Sequence, residues 1–154
     1  IPTKQTFAVS QDGKYLCAYH QNEYEMYEIK DTGLELKARK TMVLGYGQLT
    51  FDPMNSSVLY HAQEEKTQVF NPLDFSVTKE LEGEYKGTDV FTGNMVFNDK
   101  TYSTTKKINI TDKNFNTIFS YNLANTGDAS TIMIVNNILL KDGCYLNISK
   151  MLQQ

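Results

Sequence analysis

Phe70-Asn-Pro-Leu-Asp-Phe75 sets an apolar residue on each side of four turn-forming residues. The phrase recurs as Ile29-Lys-Asp-Thr-Gly-Leu34 and Ile110-Thr-Asp-Lys-Asn-Phe115, and in shortened form at Ile148-Ser-Lys-Met151. Successive phrases begin 41, 40 and 38 residues apart. Self-similarity at that period marks a repeated supersecondary unit, because each unit leaves an apolar face that only a neighbouring copy covers.

Around each phrase the pattern is that of strands. Runs of four to seven residues rich in Tyr, Phe, Val, Ile and Thr alternate with Gly, Asn, Asp and Pro punctuation, and no window holds a capped helical stripe. The first unit predicts strands at Phe7–Ser10, Tyr15–Tyr19, Tyr24–Ile29 and Leu34–Arg39, with a tight turn at Asp12-Gly13. The second repeats the order through Leu49–Asp52, Val58–Tyr60, Gln68–Phe70 and Phe75–Leu81. In the third, Met95-Val-Phe97 reads as the first strand, Asn98-Asp-Lys100 as a turn, and Glu82–Gly87 as the linker before them. The fourth stops at Gln154 with its last strand missing or reduced to a stub.

Four short strands per unit of about 40 residues is the layout of a β-propeller blade. The chain resembles the broad superfamily of propeller repeats, WD40-like or quinoprotein-like, along its whole length. It has no Trp-Asp or Gly-His dipeptide, so the resemblance implies the architecture and no family-specific site. The expected fold is all-β: about three and a half to four blades of four antiparallel strands in one domain, at approximately 5–43, 44–86, 87–126 and 127–154. A β-sandwich is the alternative. So few blades would leave an apolar flank bare, which points to a fragment of a longer propeller or to a ring completed by another copy.

Composition narrows the function classes. A net charge of −3 without any block of like charges argues against nucleic-acid binding. No apolar stretch approaches the roughly 18 residues of a membrane span. Two cysteines, Cys17 and Cys144, make no disulfide framework; both read as small buried hydrophobes, which favours an intracellular setting. The N-x-S/T sequons at Asn55, Asn109 and Asn147 occur at the frequency chance supplies.

The two histidines follow Tyr at equivalent places in successive units, Tyr19-His20 and Tyr60-His61. With Gln21, Asn22, Glu64, Glu65 and the linker aromatics Tyr46 and Tyr85 they make the candidate binding set on one rim of the stack. No third ligand recurs to make a metal site, and no G-x-S-x-G or activated Cys supplies a nucleophile. Neither a catalytic residue nor a cofactor is expected. The expected function is a non-catalytic protein–protein interaction scaffold or recognition module. Its partners would be another protein, the remaining blades, or a second copy. The alternative is a propeller enzyme or small-ligand binder using the central channel. The channel positions Ala8, Val9, Thr50, Phe51, Val96 and Met133 are mostly apolar, which weighs against it.

Overall fold

The computed structural model describes residues 6–43, 47–101, 104–122, 132–141 and 144–152. The described chain is all-β. Among the described residues fifteen strands and one short helix follow in order. The first sheet is a meander of β1 (Thr6–Val9), β2 (Tyr15–His20), β3 (Glu23–Lys30) and β4 (Gly33–Thr41). The second holds β5 (Gln48–Asp52), β6 (Asn55–Ala62), β7 (Lys66–Phe70) and β8 (Val77–Glu82). The third holds β9 (Glu84–Thr88), β10 (Met95–Thr101), β11 (Thr104–Thr111) and β12 (Thr117–Asn122). The fourth has three strands, β13 (Ile132–Val135), β14 (Ile138–Lys141) and β15 (Cys144–Asn147), and helix α1 (Ser149–Leu152) follows it. These are propeller-type blades, three of four strands and one of three, with antiparallel register throughout.

The turns follow from residue chemistry. Asn136 and Asn137 join β13 to β14 with φ of 49° and 59°. A two-residue hairpin of this hand needs positive φ at both positions, which Asn tolerates better than other side-chain-bearing residues. In the recurring phrase the closing Phe takes the same conformation, with φ of 55° at Phe75 and 66° at Phe115. The N–H of Phe75 bonds the Asn71 carbonyl at 2.8 Å, and that of Phe115 bonds the Asp112 carbonyl at 3.0 Å. The second and third phrases thus share a left-handed closing Phe, whereas the first turns through a tight hairpin in which Ile29 pairs with Leu34.

The described chain divides into two compact units, residues 1–63 with 68–81 and residues 64–67 with 82–154. In the first, Ala8, Cys17, Tyr24 and Met26 of the first sheet form one core with Phe51, Leu59, Phe70 and Phe75 of the second. Lys40 Nζ donates to the Phe75 carbonyl at 3.1 Å across the same joint. In the other unit, Val96, Ile108 and Ile110 of the third sheet form a core with Ile132, Ile134, Leu139 and Ile148 of the fourth. Each such side chain, fully buried, contributes about 1.5–3 kcal/mol.

The third sheet departs from the sequence-based expectation. Residues 84–88, read as linker, are its first strand, and residues 95–101 form one continuous second strand in place of a strand and a turn. Val96 accordingly lies on the second strand and not on the first. Cys17 is buried as expected, whereas Cys144 is exposed; both thiols are free.

Candidate functional site

In the first unit, His20 ends β2 and faces Glu23 across the ladder. Gln21, with φ of 56°, and Asn22 make the exposed turn that follows, and the Asn22 carbonyl accepts the Met42 N–H at 2.8 Å. Beneath the turn, Tyr19 stacks on Tyr24 with ring centroids 4.6 Å apart, and Tyr24 meets Phe75 edge-on. Burial raises the Tyr24 phenol pKa, and the neighbouring Tyr19 adds to the effect. Burial alone pushes the Cys17 thiol up to about 12, which leaves it unreactive. His61 is the penultimate residue of β6, one short of the strand end that His20 occupies in β2, and it is buried, with the Gly47 backbone packed over its ring. It belongs to the interior and not to a rim loop.

In the second unit, Glu64 and Glu65 are exposed, and the Glu65 carbonyl accepts the Gly83 N–H at 2.9 Å. Thr67, fully buried, donates its hydroxyl to the Gly83 carbonyl at 2.7 Å and accepts the Tyr85 N–H at 2.8 Å. Tyr85 is thus a core residue of β9, its ring 5.8 Å from that of Phe97 and its hydroxyl bonded to Thr88. Its expected place in a linker is corrected. Tyr46 lies outside the described residues. The structure therefore leaves His20, Gln21, Asn22, Glu64 and Glu65 as surface residues of the expected set, and places His61 and Tyr85 in cores.

A different set of turns, missed in the sequence, is better organised. Within each meander the first–second and third–fourth turns lie at the end opposite its second–third turn. There Asp or Asn accepts the backbone N–H two residues on: Asp12 from Lys14, Asp52 from Met54, Asn71 from Leu73, Asp89 from Phe91 and Asp112 from Asn114. Such side-chain locks fix a turn without help from a neighbouring strand. Three of these turns hold an apolar side chain in water: Met54, Leu73 and the Val90-Phe91 pair. An apolar residue inside an otherwise polar turn was the signal in the sequence. In the first unit, Gln11, Asp12, Asp52, Pro53, Met54, Asn55 and Ser56 line a polar cleft of about 240 Å³ at this end.

The lock at Asp89 is the most elaborate. Its carboxylate, fully buried, accepts the N–H groups of Phe91 (3.0 Å), Asn136 (2.9 Å) and Asn137 (2.7 Å) and the Thr92 hydroxyl (2.7 Å). Burial by itself would raise this carboxyl, but the four donors outweigh it and hold the group below the usual carboxylate range. Among the described residues no cluster of three or more His, Cys, Asp or Glu could hold a metal ion. No helix among them is long and apolar enough to cross a membrane.

These meanders place the chain among propeller-type proteins by fold. A solved structure of similar fold is that of apo AztD from Citrobacter koseri, with a TM-score of 0.53 and 12% identity. The match covers 80% of this chain and 35% of that one, so this chain spans about a third of that protein's length. At that identity the likeness is one of fold alone. No family model matches the chain, and no curated protein matches it in sequence.

Proposed function

We propose that this chain is a non-catalytic recognition module that offers locked turn tips to a protein partner. The observation that carries the reading is Phe91, 71% exposed at the tip of a turn held by the fully buried Asp89 carboxylate. A turn whose backbone is already held loses little conformational freedom on binding, and aromatic residues dominate interface energetics. Met54 and Leu73 stand on comparably locked turns in the other unit. The sequence-based rim of His20, Gln21, Asn22, Glu64 and Glu65 offers polar contacts at the opposite ends of the meanders, suited to an interface periphery.

The test is affinity capture with the chain, identification of the bound protein, and titration of that purified partner against Phe91→Ala, Leu73→Ala and His20→Ala. Loss of an anchor should weaken binding about thirtyfold, some 2 kcal/mol. Unchanged affinity in both Phe91→Ala and Leu73→Ala would end the proposal.

A further inference from the structure

The first and fourth sheets superimpose by hydrogen-bond register. Ile29 N–H bonds the Lys14 carbonyl at 2.7 Å and Ile148 N–H bonds the Asn137 carbonyl at 2.8 Å, each closing the third strand of its meander. From that anchor the cross-strand row Val9–Leu16–Tyr27 corresponds to Ile134–Leu139–Leu146, and Ala8–Cys17–Met26 corresponds to Met133–Leu140–Tyr145. In the fourth sheet the first of these rows is covered by the third sheet; in the first sheet the second row is covered by the second sheet.

The remaining two rows are bare in part, with Leu16 and Tyr27 half-buried. Val9 is 54% exposed where Ile134 is 5%; Leu140 is 38% and Tyr145 77% exposed where Cys17 and Met26 are each 0%. The chain thus carries both halves of a blade-to-blade joint, each buried at one site and bare at the other. Residue volumes indicate how the bare halves combine. In the first–second joint, Ala8, Cys17 and Ala38 leave room beside Tyr24 and Met26 for Phe51, Leu59, Phe70 and Phe75 of the second sheet. On the bare faces the sizes are exchanged: Ile29 and Leu34 stand where the second sheet has Phe70 and Phe75, while Met133, Leu140 and Tyr145 replace Ala8, Cys17 and Met26. Cores are filled to constant volume, so a larger face fits a smaller one.

We infer that a second copy of this chain docks head to tail, the Met133–Leu140–Tyr145 face of one copy covering the Phe7–Val9–Leu16–Leu34 face of the other. The contact is heterologous, because different faces of the two copies meet. It uses sheet faces and is independent of the turn tips, so Phe91→Ala leaves it intact.

Sedimentation of the chain from about 1 to 100 μM tests it. Wild type is expected to associate, and Val9→Glu and Met133→Glu are each expected to weaken association about a hundredfold, because each puts a charge into an apolar joint. An equimolar mixture of the two variants regains association, since the intact face of each meets the intact face of the other. Three outcomes overturn the inference: a wild-type monomer throughout the range, loss in only one variant, or a mixture that stays monomeric. Circular dichroism checks that the variants fold; should either lose its strand signature, Val9→Thr with Tyr145→Ser gives the same comparison.

Discussion

Asp89 Oδ2 lies 2.7 Å from the backbone N of Asn137, a residue 48 positions away, and so ties the end of β9 to the β13–β14 hairpin. Asn136 and Asn137 both have positive φ, and their N–H groups turn toward the one buried carboxylate. A local turn lock and a long-range tether are thus the same side chain.

Asp89→Asn should therefore cost about 2–4 kcal/mol, because an amide in that place sets a donor against donors. The pH dependence has a definite sign. A carboxyl held below its ordinary value of 3.8 contributes stability that is complete above about pH 5 and drains as pH falls through the lowered folded value. Thermal unfolding from pH 7 to pH 3 should show wild type losing stability more steeply than Asp89→Asn below about pH 4. Parallel curves would show that Asp89 is not the group responsible.

Asn98 gives an expectation of opposite sign. It is fully buried on β10, on the face it shares with Val96, Ile108 and Ile110, and neither amide atom has a hydrogen-bond partner among the described residues. Asn98→Leu keeps the volume and removes the desolvated amide, so it should stabilise the chain by about 1–2 kcal/mol in chemical denaturation. A loss of stability would mean that the amide is paired in solution.

Phe75 and Phe115 share a backbone conformation and differ in surroundings. Phe75 is buried in the first core, while Phe115 is half-buried at its turn. Glycine relieves about 1 kcal/mol of left-handed strain at either. Phe75→Gly should nevertheless lose about 3 kcal/mol through the cavity it opens, whereas Phe115→Gly should stay within about 1 kcal/mol of wild type. Equal losses at the two positions would refute the division.

Gly47 approaches the chain so closely that a Cβ there would lie 2.5 Å from the Ala62 carbonyl and 2.7 Å from His61 Nε2. Gly47→Ala should lower stability by about 2 kcal/mol. Adding His61→Ala should not restore it, because the carbonyl belongs to the backbone. A full rescue in the double variant would place the conflict at the imidazole alone.

The recurring phrase made the four meanders legible, since composition at a period of about 40 residues and strand alternation agreed. The third sheet was misread at two places for physical reasons. Gly83 and Gly87 look like linker punctuation, but Gly87 sits beside a bulge in the β9–β10 ladder, where a strand tolerates glycine. Asn98-Asp-Lys100 has turn composition, but Asn98 is buried and the segment pairs with β11 as a strand. His20 and His61 both lie near the close of a second strand, but their depth was not legible, because the Gly47 backbone that packs against His61 is distant from it in sequence. Phe91 was missed because a single aromatic in a turn has no period to announce it; its pedestal is assembled from Asn136 and Asn137, far along the chain.

The outermost strands carry very different side chains. Along β4 the order Glu35, Lys37, Arg39, Lys40 brings ion pairs with Glu25, Glu28 and Lys30, and β8 carries Lys79, Glu80 and Glu82. By contrast β12, Thr-Ile-Phe-Ser-Tyr-Asn, has no charge at all. Such a hexamer is the kind that seeds amyloid when partial melting frees it, whereas the lysines and glutamates of β4 and β8 repel a recruiting strand. Fibril formation on prolonged heating should accordingly start at Thr117–Asn122, and a lysine at Phe119 or Tyr121 would delay it.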